Sequence, residues 1–337
     1  MIIKDKKKLA RVTATWVVTA VMLSVFILDI AVVRIAYKYA DSVPVSDEKT
    51  TAPQSDDRIH FLNTANSDCI LIESNGRFAL VDSGEGNHNP RRKTEYKGYE
   101  DEVLSYIKKA CSDENEIVNL DFIVATHMHY DHSGNFEVII NDTQIKIGKA
   151  FIKEYDGSQT SAVDSEAWGN FQTYEKIISS LNKNNVPIIQ EIPEESFTFG
   201  DFTVEFINTT TPENIKSAGE NVNSIGIKLS KGKKTAFLGA DFTNDGGFEM
   251  LYADEIGDID LLKIGHHGYF GSSSADFLKK LKPEIAICTN HLGKIYPNVK
   301  WNLTMIARVP VFSTAHRNGI IATFTDENDI LLSQNIM

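Results

Sequence analysis

The chain has 337 residues, 42% of them hydrophobic, and a formal net charge of −12 at pH 7. That is enough apolar material for one large domain or two small ones. Residues 1–57 hold eight Lys/Arg and seven Asp/Glu, so −13 falls on residues 58–337, which argues against non-specific binding to nucleic acid and leaves only local basic patches for it.

Lys4, Lys6, Lys7, Lys8 and Arg11 precede an apolar run from Val12 to Val33, interrupted by Asp29. About 20 apolar residues span a bilayer as a helix, and the basic end stays in the cytoplasm. A signal peptide cleaved after Ala40 would have Lys38 at the position that wants a small residue, and the run exceeds a signal core. The expectation is an uncleaved single-pass anchor in the cell membrane with an extracytoplasmic C-terminal domain. The divisions are 1–11 (basic tail), 12–36 (transmembrane anchor), 37–57 (a linker rich in Pro, Ser, Thr and Asp) and 58–337 (the domain).

Within the domain, strand signals run over Ile59–Asn63, Cys69–Glu73, Phe78–Asp82, Phe122–Thr126, Phe202–Ile207, Ser224–Leu229, Thr235–Leu238, Leu261–Ile264, Ile285–Thr289 and Gly319–Phe324. Helical patterns lie between them at Tyr99–Ala110, Glu166–Asn184, Gly247–Tyr252, Ser273–Leu281 and Lys300–Arg308. The alternation predicts a layered α/β architecture. Asn75-Gly76 marks a tight hairpin turn. Cys69, Cys111 and Cys288 form no disulfide framework and no C-x-x-C pair; core packing is their expected role.

The chemistry concentrates in His127-Met128-His129-Tyr130-Asp131-His132, at the end of a β-branched strand. Imidazole and carboxylate are the ligands preferred by zinc and its neighbours. Four such residues in six positions suggest two divalent metals, and two metals suggest hydrolysis, because metal binding lowers the pKa of water towards roughly 7. Two later strands also end in ligand-type residues: Asp241 after Gly239-Ala240, and His266-His267 inside Gly265-His266-His267-Gly268. The residues leave open which of His266 and His267 is the ligand. Zinc is the first expectation; manganese and iron fit the same donors.

The order H-x-H-x-D-H, G-x-D, G-H-H-G over about residues 58–335 resembles the metallo-β-lactamase fold superfamily. Two branches are similar: the hydrolase domain of the competence protein ComEC, and the teichoic-acid phosphorylcholine esterases. Ile59-His60-Phe61, Glu73 to Ala79, Ile152 to Tyr155 and Trp168 to Tyr174 look closer to the latter. The competence-type opening D-V-G-Q-G-D is reduced here to its last residue, in Asn63 to Asp68. The resemblance implies an αββα four-layer sandwich behind the transmembrane helix. It implies one metal on His127, His129 and Asp241, and another on Asp131, His132, Asp241 and His267, with Asp241 bridging. Asp131 and His266 are the candidate catalytic residues, His266 facing the substrate phosphate. Asp82 and Ser83 are expected to orient ligands.

Lactamases and thioesterases of the superfamily carry a further His between the two motifs, whereas no His occurs from Ser133 to Gly265. The first metal therefore keeps open positions, which fits phosphate oxygens. The expected function is a phosphodiesterase acting on phosphorylcholine-type or other envelope phosphodiesters, with a ComEC-like nuclease and a non-enzymatic metal-binding surface protein as alternatives. A choline head group wants an aromatic cage. Tyr269, Phe270 and Trp168 are the substrate-pocket candidates, with Phe171, Tyr174 and Trp301 behind them.

Overall fold

The structure is a computed structural model. It describes residues 6–47, 57–91, 97–157, 166–212 and 216–337; of the linker expected over 37–57, residues 48–56 lie outside the described residues, while 37–40 continue the first helix and Val45–Asp47 form a strand paired to the sheet. In chain order the strands are β1 (Val45–Asp47), β2 (Asp57–Phe61), β3 (Ile70–Ser74), β4 (Arg77–Val81), β5 (Val118–Ala125), β6 (Ile145–Ile147), β7 (Ala150–Ile152), β8 (Ile188–Ile189), β9 (Phe197–Phe199), β10 (Phe202–Ile207), β11 (Gly226–Lys231), β12 (Lys234–Leu238), β13 (Leu261–Lys263), β14 (Ile285–Cys288), β15 (Val311–Ser313), β16 (Ile320–Phe324) and β17 (Ile330–Gln334). The α-helices are α1 (Lys6–Ala40), α2 (Glu100–Cys111), α3 (Tyr130–Ser133), α4 (Phe136–Asn141), α5 (Asn170–Lys183), α6 (Phe248–Ile256), α7 (Ala275–Leu281), α8 (Pro297–Trp301) and α9 (Thr314–Arg317). The helix expected over Lys300–Arg308 is split: Pro297 opens α8, and a π-helical turn over Asn302–Ala307 follows it.

Two sheets face each other. One runs β1-β17-β16-β2-β3-β4-β5-β7-β8, with β6 also on β5; the other runs β15-β14-β13-β12-β11-β10-β9. Strand alternation builds three cores. Ile70 and Ile72 of β3 point between the sheets with Ala79 and Val81 of β4, and meet Val204, Ile227, Leu238 and Ile287 from the other sheet. Leu71 and Leu80 point outward, against Val103 and Ile107 of α2, Ile139 of α4 and Ile177 of α5. Phe237, Leu262 and Ala286 cover the far face of the second sheet, under Phe248 of α6, Leu278 of α7 and Val299 of α8. Sheets covered on both faces have strands apolar on both sides, which is why the sequence shows continuous apolar runs rather than alternation. The result is a four-layer αββα sandwich.

Asn75 and Gly76 adopt φ 52° and 69° between Ser74 and Arg77, the left-handed pair that a two-residue hairpin demands. All three cysteines are buried and free, within the two outer cores.

Helix α1 has two parts. Ala10 through Leu28 are exposed along their whole length. From Asp29 onward one face, carrying Val32, Ala36 and Ala40 at four-residue spacing, packs on the domain. The helix is long and apolar enough to cross a membrane by length and composition.

Candidate metal centre

The parallel strands β4, β5, β12, β13 and β14 all end at one edge of the sandwich, where side chains from both sheets converge. β5 stops at Ala125, and α3 begins at Tyr130, so His127 and His129 leave the strand end while Asp131 and His132 sit on the first helical turn. β12 delivers Asp241, β13 delivers His266 and His267, and β14 delivers Thr289.

The Asp241 carboxylate is the centre of this cluster. Its Oδ1 lies 3.0 Å from His132 Nε2 and 3.4 Å from His267 Nε2. Its Oδ2 lies 3.7 Å from both His127 Nε2 and His266 Nε2. His129 Nδ1 is 3.2 Å from His127 Nε2. Two groups of ligand atoms each fall within 4.8 Å: His127, His129 and Asp241, and Asp68, His132, Asp241 and His267. Asp131 Oδ2 stands 3.6 Å from His267 Nε2, while its Oδ1 is buried without a hydrogen-bond partner.

The surroundings fix which nitrogen each imidazole presents. His132 Nδ1 donates to Asp82 Oδ2 at 2.7 Å, and His267 Nδ1 lies 3.0 Å from Thr289 Oγ1. The two Nε2 atoms then face each other at 3.1 Å. Two imidazole lone pairs that close repel unless a cation lies between them, and Asp241 Oδ1 beside them accepts no hydrogen bond. This donor set fits a divalent metal. Asp82 acts as the orienting carboxylate that such ligands use; it also holds Thr126 through the backbone N–H (2.9 Å) and hydroxyl (2.8 Å).

Behind the second group lies a charged layer. Lys263 is fully buried, ion-paired to Asp68, and donates to Ala240 O at 2.7 Å. Asp68 accepts from Thr289 at 2.5 Å and lies 3.3 Å from His267 Nδ1. Burial alone would raise the Asp68 carboxyl; the Lys263 ammonium and the His267 and His132 rings outweigh it and hold it well below the usual carboxylate range. Burial likewise opposes charge on Asp241, but His132, His267 and His266 keep its pKa low. His132 is pushed above its ordinary value against burial, by Asp241 and Asp82, so a proton competes for the nitrogen a metal would take.

The imidazoles of the first group meet neutral groups, while the buried Glu220 carboxylate holds the backbone between them by accepting from the Met128 N–H at 3.0 Å. His127 Nδ1 lies 3.1 Å from Thr126 Oγ1 and 3.4 Å from Ser224 Oγ. Ser224 also accepts from the Asp241 backbone N–H at 3.3 Å. Asn221 Nδ2 is 3.5 Å from His266 Nε2, and Asn221 Oδ1 is buried without a partner. Trp168 stacks on His129 (centroids 4.4 Å apart, 29° between planes), and Arg91 lies over the same indole at 4.3 Å. Tyr269 meets His266 edge-on at 5.4 Å, and Phe270 is exposed beside it. Tyr174 is buried in the core of the first sheet's outer face. Asp82, Ala240, His266 and His267 have φ of 54°, 43°, 46° and 50°. Left-handed backbone at non-glycine residues costs about 1–3 kcal/mol each and gathers at functional sites.

Residues 62–216 match the family model described as the metallo-beta-lactamase superfamily. The chain carries a metallo-beta-lactamase superfamily domain. ComE operon protein 3 of Bacillus subtilis is 24% identical over 217 residues, which are 63% of this chain and 24% of that protein. Recombination protein 2 of Haemophilus influenzae is 28% identical over 107 residues, 32% of this chain and 12% of that protein. Both support the ComEC-type branch of the superfamily, and this chain spans at most about a quarter of either relative's length. Among solved structures, the metallo-beta-lactamase fold protein YhfI from Bacillus subtilis aligns over 77% of this chain and 96% of its own, at 15% identity and a TM-score of 0.47.

The fold brings together every metal candidate named from the sequence, those within the matched residues and Asp241 and His267 beyond them. Five further contributors, Asp68, Lys263, Thr289, Ser224 and Asn221, were not marked for these roles. Two of them carry a signal: Asp68 is the retained last residue of the competence-type opening, and a lysine inside the apolar run Leu261-Leu262-Lys263-Ile264 needs a buried partner.

Proposed function

We propose that the protein is a metal-dependent phosphodiester hydrolase, anchored in the cell membrane by α1 with its domain on the extracytoplasmic side. One observation carries the reading: Asp241 is shared, with one oxygen towards His132 and His267 and the other towards His127 and His266. His127, His129 and Asp241 would hold one ion, and Asp131, His132, Asp241 and His267 the other, zinc being the first expectation. When bound, such ions supply an acidified water and neutralise phosphoryl oxygens.

The chain supplies the rest. Thr126 and Ser224 anchor His127, and Asp82 anchors His132, so the imidazoles hold their directions without rearrangement. His266 is the one histidine of the cluster with a substantially exposed side chain, at 27%. Desolvation of the part of the ring that faces the cluster lowers its pKa, against an opposing pull from Asp241. It is the donor placed to meet charge growing on a phosphoryl oxygen or on the leaving oxygen. The lack of a His between Ser133 and Gly265 leaves Asn221 and Ser224 beside the first group, which supports phosphate over β-lactam substrates. Because Trp168 is taken up by His129 and Arg91, a choline-type cation would rely on Tyr269 and Phe270.

The test uses the full chain in detergent, loaded with zinc, against bis-p-nitrophenyl phosphate, p-nitrophenyl-phosphorylcholine and single-stranded DNA. Turnover of the small diesters, abolished in His129→Ala, is the expected result. Turnover of DNA alone makes the protein a nuclease. No turnover with two metals bound makes it a non-enzymatic metal-binding protein, and unchanged activity in His129→Ala overturns the site.

A further inference from the structure

The exposed part of α1, Ala10 to Leu28, is 19 residues, about 28 Å at 1.5 Å per residue and close to the roughly 30 Å of a bilayer's hydrocarbon core. The domain's contact with the helix begins at the next residue. Asp29 pairs with Lys300 at 2.5 Å, and the Lys300 side chain is almost fully buried there. The surface around Lys300 therefore lies at the level where the span ends.

That surface is unusual for this protein. Residues 291–308 contain no acidic residue and expose Lys294 and Arg308, with Lys300 buried against Asp29, within a domain whose net charge is −13. Tyr296, Trp301, Met305 and Ile306 are exposed on it, and so is Phe270, at 67%. Exposed aromatic and aliphatic side chains rimmed by Lys and Arg are the composition of a surface that lies in a lipid interface.

The same patch borders the metal centre. The Lys300 backbone N–H donates to Tyr296 O at 2.9 Å. The Tyr296 ring is 5.8 Å from Tyr269 and 6.1 Å from Phe270. Tyr269 is 5.4 Å from His266. Two residues, Tyr296 and Tyr269, thus separate the end of the membrane span from the candidate catalytic imidazole.

We propose that segment 291–308 seats in the lipid headgroup layer beside α1, and that the substrate is a phosphodiester carried by a membrane lipid, entering past Tyr296 and Tyr269. The occupant of the patch is the bilayer, because the patch continues the apolar belt of α1. The reaction class rests on the proposed function. One water adds to phosphorus, one P–O bond to an alcohol breaks, and the water's proton goes to the leaving oxygen, giving a phosphomonoester and an alcohol.

The test reconstitutes the full chain in vesicles of phosphatidylcholine and phosphatidylglycerol. The native cysteines are buried, so Ile306→Cys and Glu195→Cys each offer one exposed thiol for a fluorophore. Glu195 precedes β9, at the opposite edge of the second sheet from β15, against which α1 lies. Quenching by lipid-borne nitroxide at position 306 and by aqueous iodide at position 195 is expected; iodide quenching equal at the two positions overturns the membrane-facing surface. Activity forms the second arm, on fluorescent-tailed phosphatidylcholine in the vesicles and on soluble bis-p-nitrophenyl phosphate. The Met305→Ser/Ile306→Ser variant should lose roughly tenfold on the lipid diester and nothing on the soluble one. Wild-type turnover of the soluble diester alone overturns the lipid substrate. Turnover of neither sinks the hydrolase reading itself, and the quenching result still decides the membrane face.

Discussion

The two halves of the metal centre share Asp241 and differ in everything behind it. The group around His132 and His267 is backed by Asp82, Asp68, Lys263 and Thr289, all buried and three of them charged. In the group around His127 and His129 the rings meet the hydroxyls of Thr126 and Ser224 and the indole of Trp168, and the buried Glu220 carboxylate holds the Met128 backbone rather than a ligand ring. Charge placed behind a ligand fixes its direction and basicity strongly, and neutral groups fix direction with less effect on basicity. The deep half is built to hold, and the other to react.

The largest effect should come from breaking what the halves share. Asp241→Asn should reduce bound metal from two ions to fewer than one per chain by elemental analysis, and abolish diester turnover. Retention of one ion would show that the halves are independent. Asp68→Asn tests the charged layer alone. Metal affinity at the deep position should fall about 10–100-fold in a chelator competition, with the stoichiometry unchanged. A lost ion would instead make Asp68 a ligand.

The smallest effect concerns Lys153, which lies near His127 and donates to Asn223 O at 3.1 Å. Burial pushes its pKa down to about 7, against a smaller opposing pull from Glu220. The folded chain releases this proton near pH 7, and the unfolded chain keeps it until about 10.5. Between those values the unfolded state binds more protons, so stability rises with pH. Thermal melts in chelator should therefore gain between pH 7 and pH 10 in the wild type relative to Lys153→Met. Parallel curves would mean that Lys153 stays charged beside Glu220, and that the reactive half carries a buried ion pair of its own.

How much of this was legible beforehand depended on whether a feature is local. Strands β3 and β4 lie in apolar runs, β10 alternates apolar and polar residues, and Asn75-Gly76 carries its turn in two letters, so all can be read directly. Strands β6 to β9 are two or three residues long, too short for a pattern to develop. β1 and β17 have exposed positions and find their places only by pairing with each other and with β16. His127 to His132 is a site written contiguously. Asp241 and His267 gained meaning only from that cluster. Ser224, Thr289 and Asn221 gain theirs only when strand ends from two sheets meet, which no spacing encodes.

The segment Gly265-His266-His267-Gly268 reads as a metal motif, yet half of it serves the backbone. A Cβ on Gly265 would lie 2.3 Å from Phe242 O, and Gly268 sits at φ 78° with Ile295 against it. Both glycines are therefore required by the turn whether or not an ion is bound, while His266 and His267 hold left-handed conformations that imidazole does not favour. Under drift the two pairs would separate. A descendant relieved of its chemistry is free to replace the histidines, with Asn or Gly relieving the backbone, but must keep the glycines to fold. A sequence of this lineage with both glycines and neither histidine would be the fossil of an enzyme whose scaffold outlived its reaction.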